Sequence, residues 1–301
     1  MGNYTGEIFA VATSFMWTIS AMAFESGGKK IGSLPLNLIR LLFAFVFISI
    51  YLYFTRGLAF ATDADLNTWL WLILSGLVGL VIGDLMLFRA YILVGARVSM
   101  LILSLVPPIT AFLGWLVLGE TLKTIQFFAM FITLIGISIV LLSKQPEKSK
   151  TEKKKSSKNI VGYLLALGGA IGQAGGLVLS KKGMGNYDAF ASTQIRIIAG
   201  IFGFIIIISF AKLWKKTFTG MKNVPAMKSI ALGSLAGPFL GVSFSLIAVQ
   251  FIETGIAATL SSLAPVVIIL PSMLIFKEKI RLMEIIGAII SIIGVALFFW
   301  N

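Results

Sequence analysis

Ten apolar segments follow one another along this chain, each close to the ~20 residues that a helix needs to cross a bilayer. They run over residues 7–26, 34–55, 68–92, 96–118 and 124–143, then 159–181, 188–211, 228–250, 255–276 and 281–300. In hydrocarbon, backbone N–H and C=O groups must be satisfied without water, so only α-helices and closed barrels span a membrane. These runs are continuous rather than alternating, which predicts helices throughout. Only 12% of the residues are charged, about half the share of a soluble domain, too few to clothe a water-soluble surface. The expected fold is an all-α integral membrane protein with ten transmembrane helices. The first run starts at Ile8 with no basic residue before it and no small-residue cleavage site. It reads as a first spanning helix rather than a removable signal peptide.

The pattern is written twice. The stretch SLVPPITAFLGWLVLGE ends at Glu120, and SSLAPVVIILPSMLIFKE ends at Glu278. Ser104, Leu105, Pro107, Leu116 and Glu120 reappear as Ser262, Leu263, Pro265, Leu274 and Glu278, each pair 158 residues apart. Gly136 pairs with Gly294 at that offset, and Ser75, Gly79 and Gly83 pair with Gly233, Gly237 and Gly241. Earlier in each half the offset is 156: Gly6 with Gly162, Trp17 with Gln173, Arg40 with Arg196. The expected organisation is a five-helix repeat over residues 1–143, a flexible Lys-rich linker over 144–158, and a second five-helix repeat over 159–301. Five crossings put the second repeat in the opposite orientation. Inverted repeats are a recurrent transporter architecture, with a central cavity near the midplane between them.

Charge sets the sidedness. The side that holds both termini carries Arg56, Lys123, Lys181 and Lys182, four in all. The other side carries nineteen: Lys29, Lys30, Arg89, Arg97, seven Lys of the linker, five Lys between helices seven and eight, Lys277, Lys279 and Arg281. The positive-inside rule then places the linker in the cytoplasm and both termini outside. The net charge of +13 is therefore a matter of topology and anionic lipid at the Lys-rich linker, not of nucleic acid.

Several membrane-embedded residues are candidates for chemistry. Asp84 lies inside the third apolar run, where an acid is costly and needs a partner or a wet path. Its counterpart is Val242, so it is not part of the repeated scaffold. Its readings are substrate-amine binding or ion coupling, against a structural ion pair with Arg89 or Arg97. Arg40 and Arg196 either snorkel to the headgroups or clasp a substrate carboxylate or an acid. Trp17 and Gln173 occupy matching sites in the first helix of each half, and a mid-membrane Gln needs hydrogen-bond partners. Pro107 and Pro265 are expected to kink their helices beside the cavity, as is Pro238. Ser104 and Ser262, three residues earlier, offer hydroxyls to a substrate or bond back to their own helices. The glycine ladders Gly168–Gly172–Gly176 and Gly233–Gly237–Gly241 are expected to bring helix backbones close together. Glu120 and Glu278 are expected to cap helices or make interfacial contacts.

Enzyme classes find little support. The chain has no cysteine and no histidine, which removes thiol nucleophiles, disulfides, Cys/His zinc sites and histidine relays. No Walker loop, no Gly-x-Ser-x-Gly and no metal-ligand spacing is found, so no cofactor and no metal are expected.

The ordered motifs resemble a known family. ATSFMWTISA around Trp17, NLIRLLFAF around Arg40, and LSLVPPITAFLGWLVLGETL followed by LIGISIVLL are similar to the ten-helix, EamA-type branch of the drug/metabolite transporter superfamily. The second half repeats the last two as LSSLAPVVIILPSMLIFKEKI and IIGVALFFW. The resemblance implies a secondary carrier without ATP hydrolysis, two repeats around a central cavity, and export of amino acids or other small metabolites. It also implies both termini in the cytoplasm, opposite to the lysine distribution. Four-helix relatives carry an essential acid in the middle of their first helix. Here that region reads SFMW, so their coupling residue has no equivalent.

The expectation is a secondary active exporter of small polar metabolites across the cytoplasmic membrane, working by alternating access as a monomer or homodimer. The alternative is a lipid flippase, or a non-transporting membrane partner that docks through its Lys-rich linker.

Overall fold

The computed structural model describes residues 4–143, 156–269, 271 and 281–299. Most of the linker, Lys277, Glu278 and Lys279 lie outside the described residues. The last three linker residues, 156–158, are helical and open the sixth apolar helix rather than belonging to a flexible segment.

The first half comprises α1 (Thr5–Ile31), α2 (Ser33–Arg56), α3 (Leu66–Gly76), α4 (Asp84–Leu103), α5 (Val106–Leu118) and α6 (Thr124–Ser143). The second comprises α7 (Ser156–Met184), α8 (Ala189–Phe210), the short α9 (Trp214–Met221), α10 (Val224–Ser234), α11 (Val242–Phe251), α12 (Thr254–Ser261), α13 (Ala264–Val267) and α14 (Leu282–Phe298). Among the described residues, eight helices are long and apolar enough to cross a membrane. Thr254–Val267 and Leu282–Phe298, which fall on the ninth and tenth expected spans, are shorter there.

Wide-turn π-helical segments interrupt the third helix of each half, at Leu77–Gly83 and Leu235–Gly241. Their ends are 158 residues apart, the register of the sequence repeat. Pro238 lies inside the second, but Leu80 holds that place in the first, so proline is not the shared cause. The segments share Leu77 with Leu235 and the glycines at 79 and 83 with those at 237 and 241. π-Segments of this kind are rare and concentrate at functional sites.

The prolines act differently from expectation. The helix stops at Ser104–Leu105, and Pro107 and Pro108 stand in the first turn of a new helix, α5. A second stop falls at Ser262–Leu263, with Pro265 in the first turn of α13. A first-turn proline gives up no hydrogen bond, since that N–H has no intrahelical partner anyway. These prolines start segments instead of bending continuous ones.

The halves are interlocked. Helix α7 packs along α3, the first π-segment and α4, while α1 packs along α10, the second π-segment and α11. The two interfaces exchange donor and acceptor positions. Ser75 Oγ donates to the Gly176 carbonyl at 2.6 Å, and Ser20 Oγ donates to the Gly233 carbonyl at 2.9 Å. Ser75 corresponds to Gly233 and Ser20 to Gly176, so each contact has one hydroxyl and one glycine with the roles reversed. The expected glycine ladders provide the clearance: a Cβ on Gly176 would lie 2.8 Å from Gly79 Cα, and one on Gly172 2.7 Å from Gly83 Cα. Helices α6 and α14 form a separate pair in which Gly136 faces Ser291 and Gly287, and Gly294 faces Thr133.

Candidate functional site

Three buried charges meet between the halves. Arg40 from α2 donates through Nη2 to Asp84 Oδ2, at the first residue of α4 after the π-segment. The guanidinium of Arg40 also lies over the Phe24 ring, 5.7 Å from its centre. Arg196 from α8 brings a second positive charge into range of the same carboxylate. It reaches there because Gly76 and Gly79 leave room. A Cβ at Gly76 would lie 2.6 Å from the Arg196 carbonyl oxygen, and one at Gly79 3.5 Å from its Nη2. Relative exposures of 5% for Arg40, 9% for Asp84 and 6% for Arg196 place all three away from headgroup water. Snorkelling is thereby ruled out for both arginines.

Among the described residues the partner of Asp84 is Arg40, not Arg89. Arg89 is exposed, and the Arg97 side chain lies outside the described residues.

The cluster holds one acid against two bases, and part of its hydrogen-bonding capacity is unused. Arg196 makes no hydrogen bond to a described residue, and its Nε is buried without a partner. The Arg40 Nε is likewise unpartnered. Asn37, one turn before Arg40 on the same face of α2, donates to the Ser33 carbonyl but has no partner for its buried Oδ1. A buried polar group left without a partner costs its desolvation energy, so such groups are usually completed by ordered water, an ion or a ligand.

Trp17 and Gln173 lie beside the two π-segments rather than in the charge cluster. A Cβ on Gly237 would lie 3.4 Å from the Trp17 ring, and one on Gly83 3.4 Å from the Gln173 backbone nitrogen. Each packs against the opposite half, as their shared register requires. Ser104 and Ser262 bond back to their own helices, to the Leu101 carbonyl at 2.6 Å and the Thr259 carbonyl at 2.8 Å. With Pro107 and Pro265 they mark the helix stops.

A second polar cluster lies on the side of both termini, around Glu120, the acid expected to cap a helix or make an interfacial contact. Glu120, just beyond α5, accepts from the Thr254 backbone N–H at 2.8 Å and from its hydroxyl at 2.6 Å. It also pairs with Lys181 of α7 at 2.7 Å, and Lys181 donates to the Ile252 carbonyl at 2.8 Å. Glu120 thus caps a helix, but one of the other half: α12. Gly119 makes this possible, since its φ of 69° turns the chain through the left-handed region at the end of α5. The sequence places Glu120 just after Gly119 at a helix end, but which helix it caps is set by the packing of the two halves. This latch joins the first half to the second on one face of the membrane.

The model of the EamA-like transporter family matches residues 4–142 and 160–300. No curated protein matches the chain. One solved crystal structure has the same fold, with a TM-score of 0.72 and 17% identity over 99% of this chain and 98% of that one.

Proposed function

Because the chain belongs to the EamA-like transporter family, within the drug/metabolite transporter superfamily, we propose that it is a secondary carrier that exports small, carboxylate-bearing polar metabolites such as amino acids across the cytoplasmic membrane. The observation that carries this reading is the buried Arg40–Asp84–Arg196 cluster, with two guanidiniums against one carboxylate and a buried Arg196 Nε that has no partner among the described residues.

The chemistry follows from the arrangement. In a low-dielectric site an uncompensated guanidinium attracts a carboxylate strongly, and its planar set of N–H donors suits two carboxylate oxygens at once. Arg196 receives the carboxylate. A substrate ammonium then competes with Arg40 for Asp84, and so does a proton. Either event opens the Arg40–Asp84 pair. That pair ties α2 to the segment after the first π-helix, so its release frees the third helix to move against α7. The Glu120–Lys181–Thr254 latch closes the face that carries the termini, and alternating access requires it to break when the carrier opens there. The repeats divide at residues 1–143 and 159–301, and Trp17 and Gln173 flank the moving π-segments.

The test is solute flux from proteoliposomes loaded with a panel of amino acids, small acids and their neutral amides, followed by mass spectrometry with and without a pH gradient. Selective loss of carboxylate solutes, abolished by Arg196→Gln, is the expected result. Equal efflux of acids and amides refutes the carboxylate assignment, and no efflux of any solute from folded protein refutes the carrier.

A further inference from the structure

A separate basic cavity lies on the other face, where α9 crosses beneath the α1–α2 turn. It has a volume of about 470 Å3 and is lined by Lys30, Lys212, Lys215, Lys216 and Thr219, with no acidic side chain among the described residues that line it. Lys215, Lys216 and Thr219 share one face of α9 by their spacing of three and four, and Lys212 joins them from the turn before it, where its φ is 55°. Thr217 and Gly220 of α9 are buried, and a Cβ on Gly220 would meet Ile31 at 3.1 Å. That packing holds the lysines of the second half against Lys30 of the first. None of the four lysines makes an ion pair or hydrogen bond with a described residue. Like charges gathered around one cavity repel each other, and α9 nevertheless holds them there.

The depth of the cavity identifies its surroundings. The apolar spans next to it end at Gly28 and Phe210, so Lys30 and Lys212 stand at headgroup level. Phe210 and Phe218 are 86% and 57% exposed beside it, and Trp214 stacks on Phe218 with ring centres 5.6 Å apart. An aromatic edge beside a lysine-lined cavity matches an acyl chain beside its phosphate.

We infer that this cavity binds the phosphate headgroup of an anionic phospholipid, and that the lipid bridges the two halves on this face. The site is independent of the charge cluster and of the transported solute. Its ligand chemistry is a phosphate ester, which a soluble glycerol phosphate also offers.

The test uses the full-length protein in nanodiscs and detergent, with phosphatidylglycerol binding read by native mass spectrometry. The pocket variant is Lys212→Gln, Lys215→Gln, Lys216→Gln. The control variant, Lys123→Gln, Lys222→Gln, Lys228→Gln, removes the same charge outside the cavity. Each lysine at a membrane surface contributes enough that losing three weakens binding roughly a hundredfold in the pocket variant, with little change in the control. Lys→Arg at the three pocket positions preserves binding, which separates lost charge from lost folding. Equal weakening in pocket and control variants overturns the site, as does equal binding of phosphatidylcholine and phosphatidylglycerol. Glycerol phosphate that saturates the cavity with no lipid preference keeps the phosphate site but assigns it to a soluble ester.

Discussion

Replacing Asp84 by asparagine isolates the energetics of the buried pair. In the native protein Asp84 neutralises Arg40 and also acts on Arg196. Asparagine is nearly isosteric, so packing changes little, but two buried guanidinium groups are left facing each other without an anion. Removing one partner of a buried ion pair costs about 3–5 kcal/mol, because the other charge stays desolvated. The single variant should therefore be less stable by that amount in an unfolding titration in mixed micelles. The double variant Arg40→Met, Asp84→Leu replaces that pair by apolar side chains, an exchange that is often neutral or stabilising by itself, but leaves Arg196 buried without its anion. It should be more stable than Asp84→Asn, because the Arg40 charge is gone, and should keep the part of the loss that Arg196 causes. Transport gives the opposite answer: both variants should lose efflux, because neither retains a switchable pair. Asp84→Asn with native stability refutes the reasoning, since it means water already solvates the pair. Native efflux in the double variant leaves the pair structural and removes it from the mechanism.

Three further outcomes are expected. Glu120→Gln weakens the latch to Lys181 and Thr254, so Gln250→Cys, beside it on α11, should label faster with a membrane-impermeant maleimide than in the native background; the cysteine-free chain makes that reading clean. Gly176→Val forces a side chain against Gly79, and overpacking of this kind should cost about 1–3 kcal/mol, measured by thermal unfolding. If the charge bias governs orientation, Asn186→Cys should react in intact cells and Thr219→Cys only after permeabilisation, both side chains being exposed on opposite faces.

The sequence carried the repeat because close helix contacts demand small residues at fixed positions, and glycines 79, 83, 237 and 241 report that demand directly. Asp84 was legible because an acid in an apolar run is costly in lipid and needs a partner or a wet path. Its partner was not. Arg40 sits on another helix, and pairing across helices depends on their rotation, which hydropathy does not encode. The helix stops were misread for a similar reason. A proline in mid-run is compatible with a kinked helix and with a fresh start, and only the turn at Ser104–Leu105 distinguishes them. Lys181 looked like one of four charges on its face, while its role depends on the Thr254 N-terminus arriving beside Glu120.

The interlocked packing has a consequence for how the chain is made. Helix α1 leaves the ribosome early, yet the groove that accepts it belongs to α10 and α11, near the end of synthesis. Until then the Ser20 hydroxyl, which will donate to Gly233, has no native receiver. The nascent first half is therefore an incomplete object in the membrane, holding an exposed seam for the duration of translation. A chaperone-like insertase, or lipid itself, must shield that seam. Two separately expressed halves, each carrying the seam that the other fills, should find each other and reassemble.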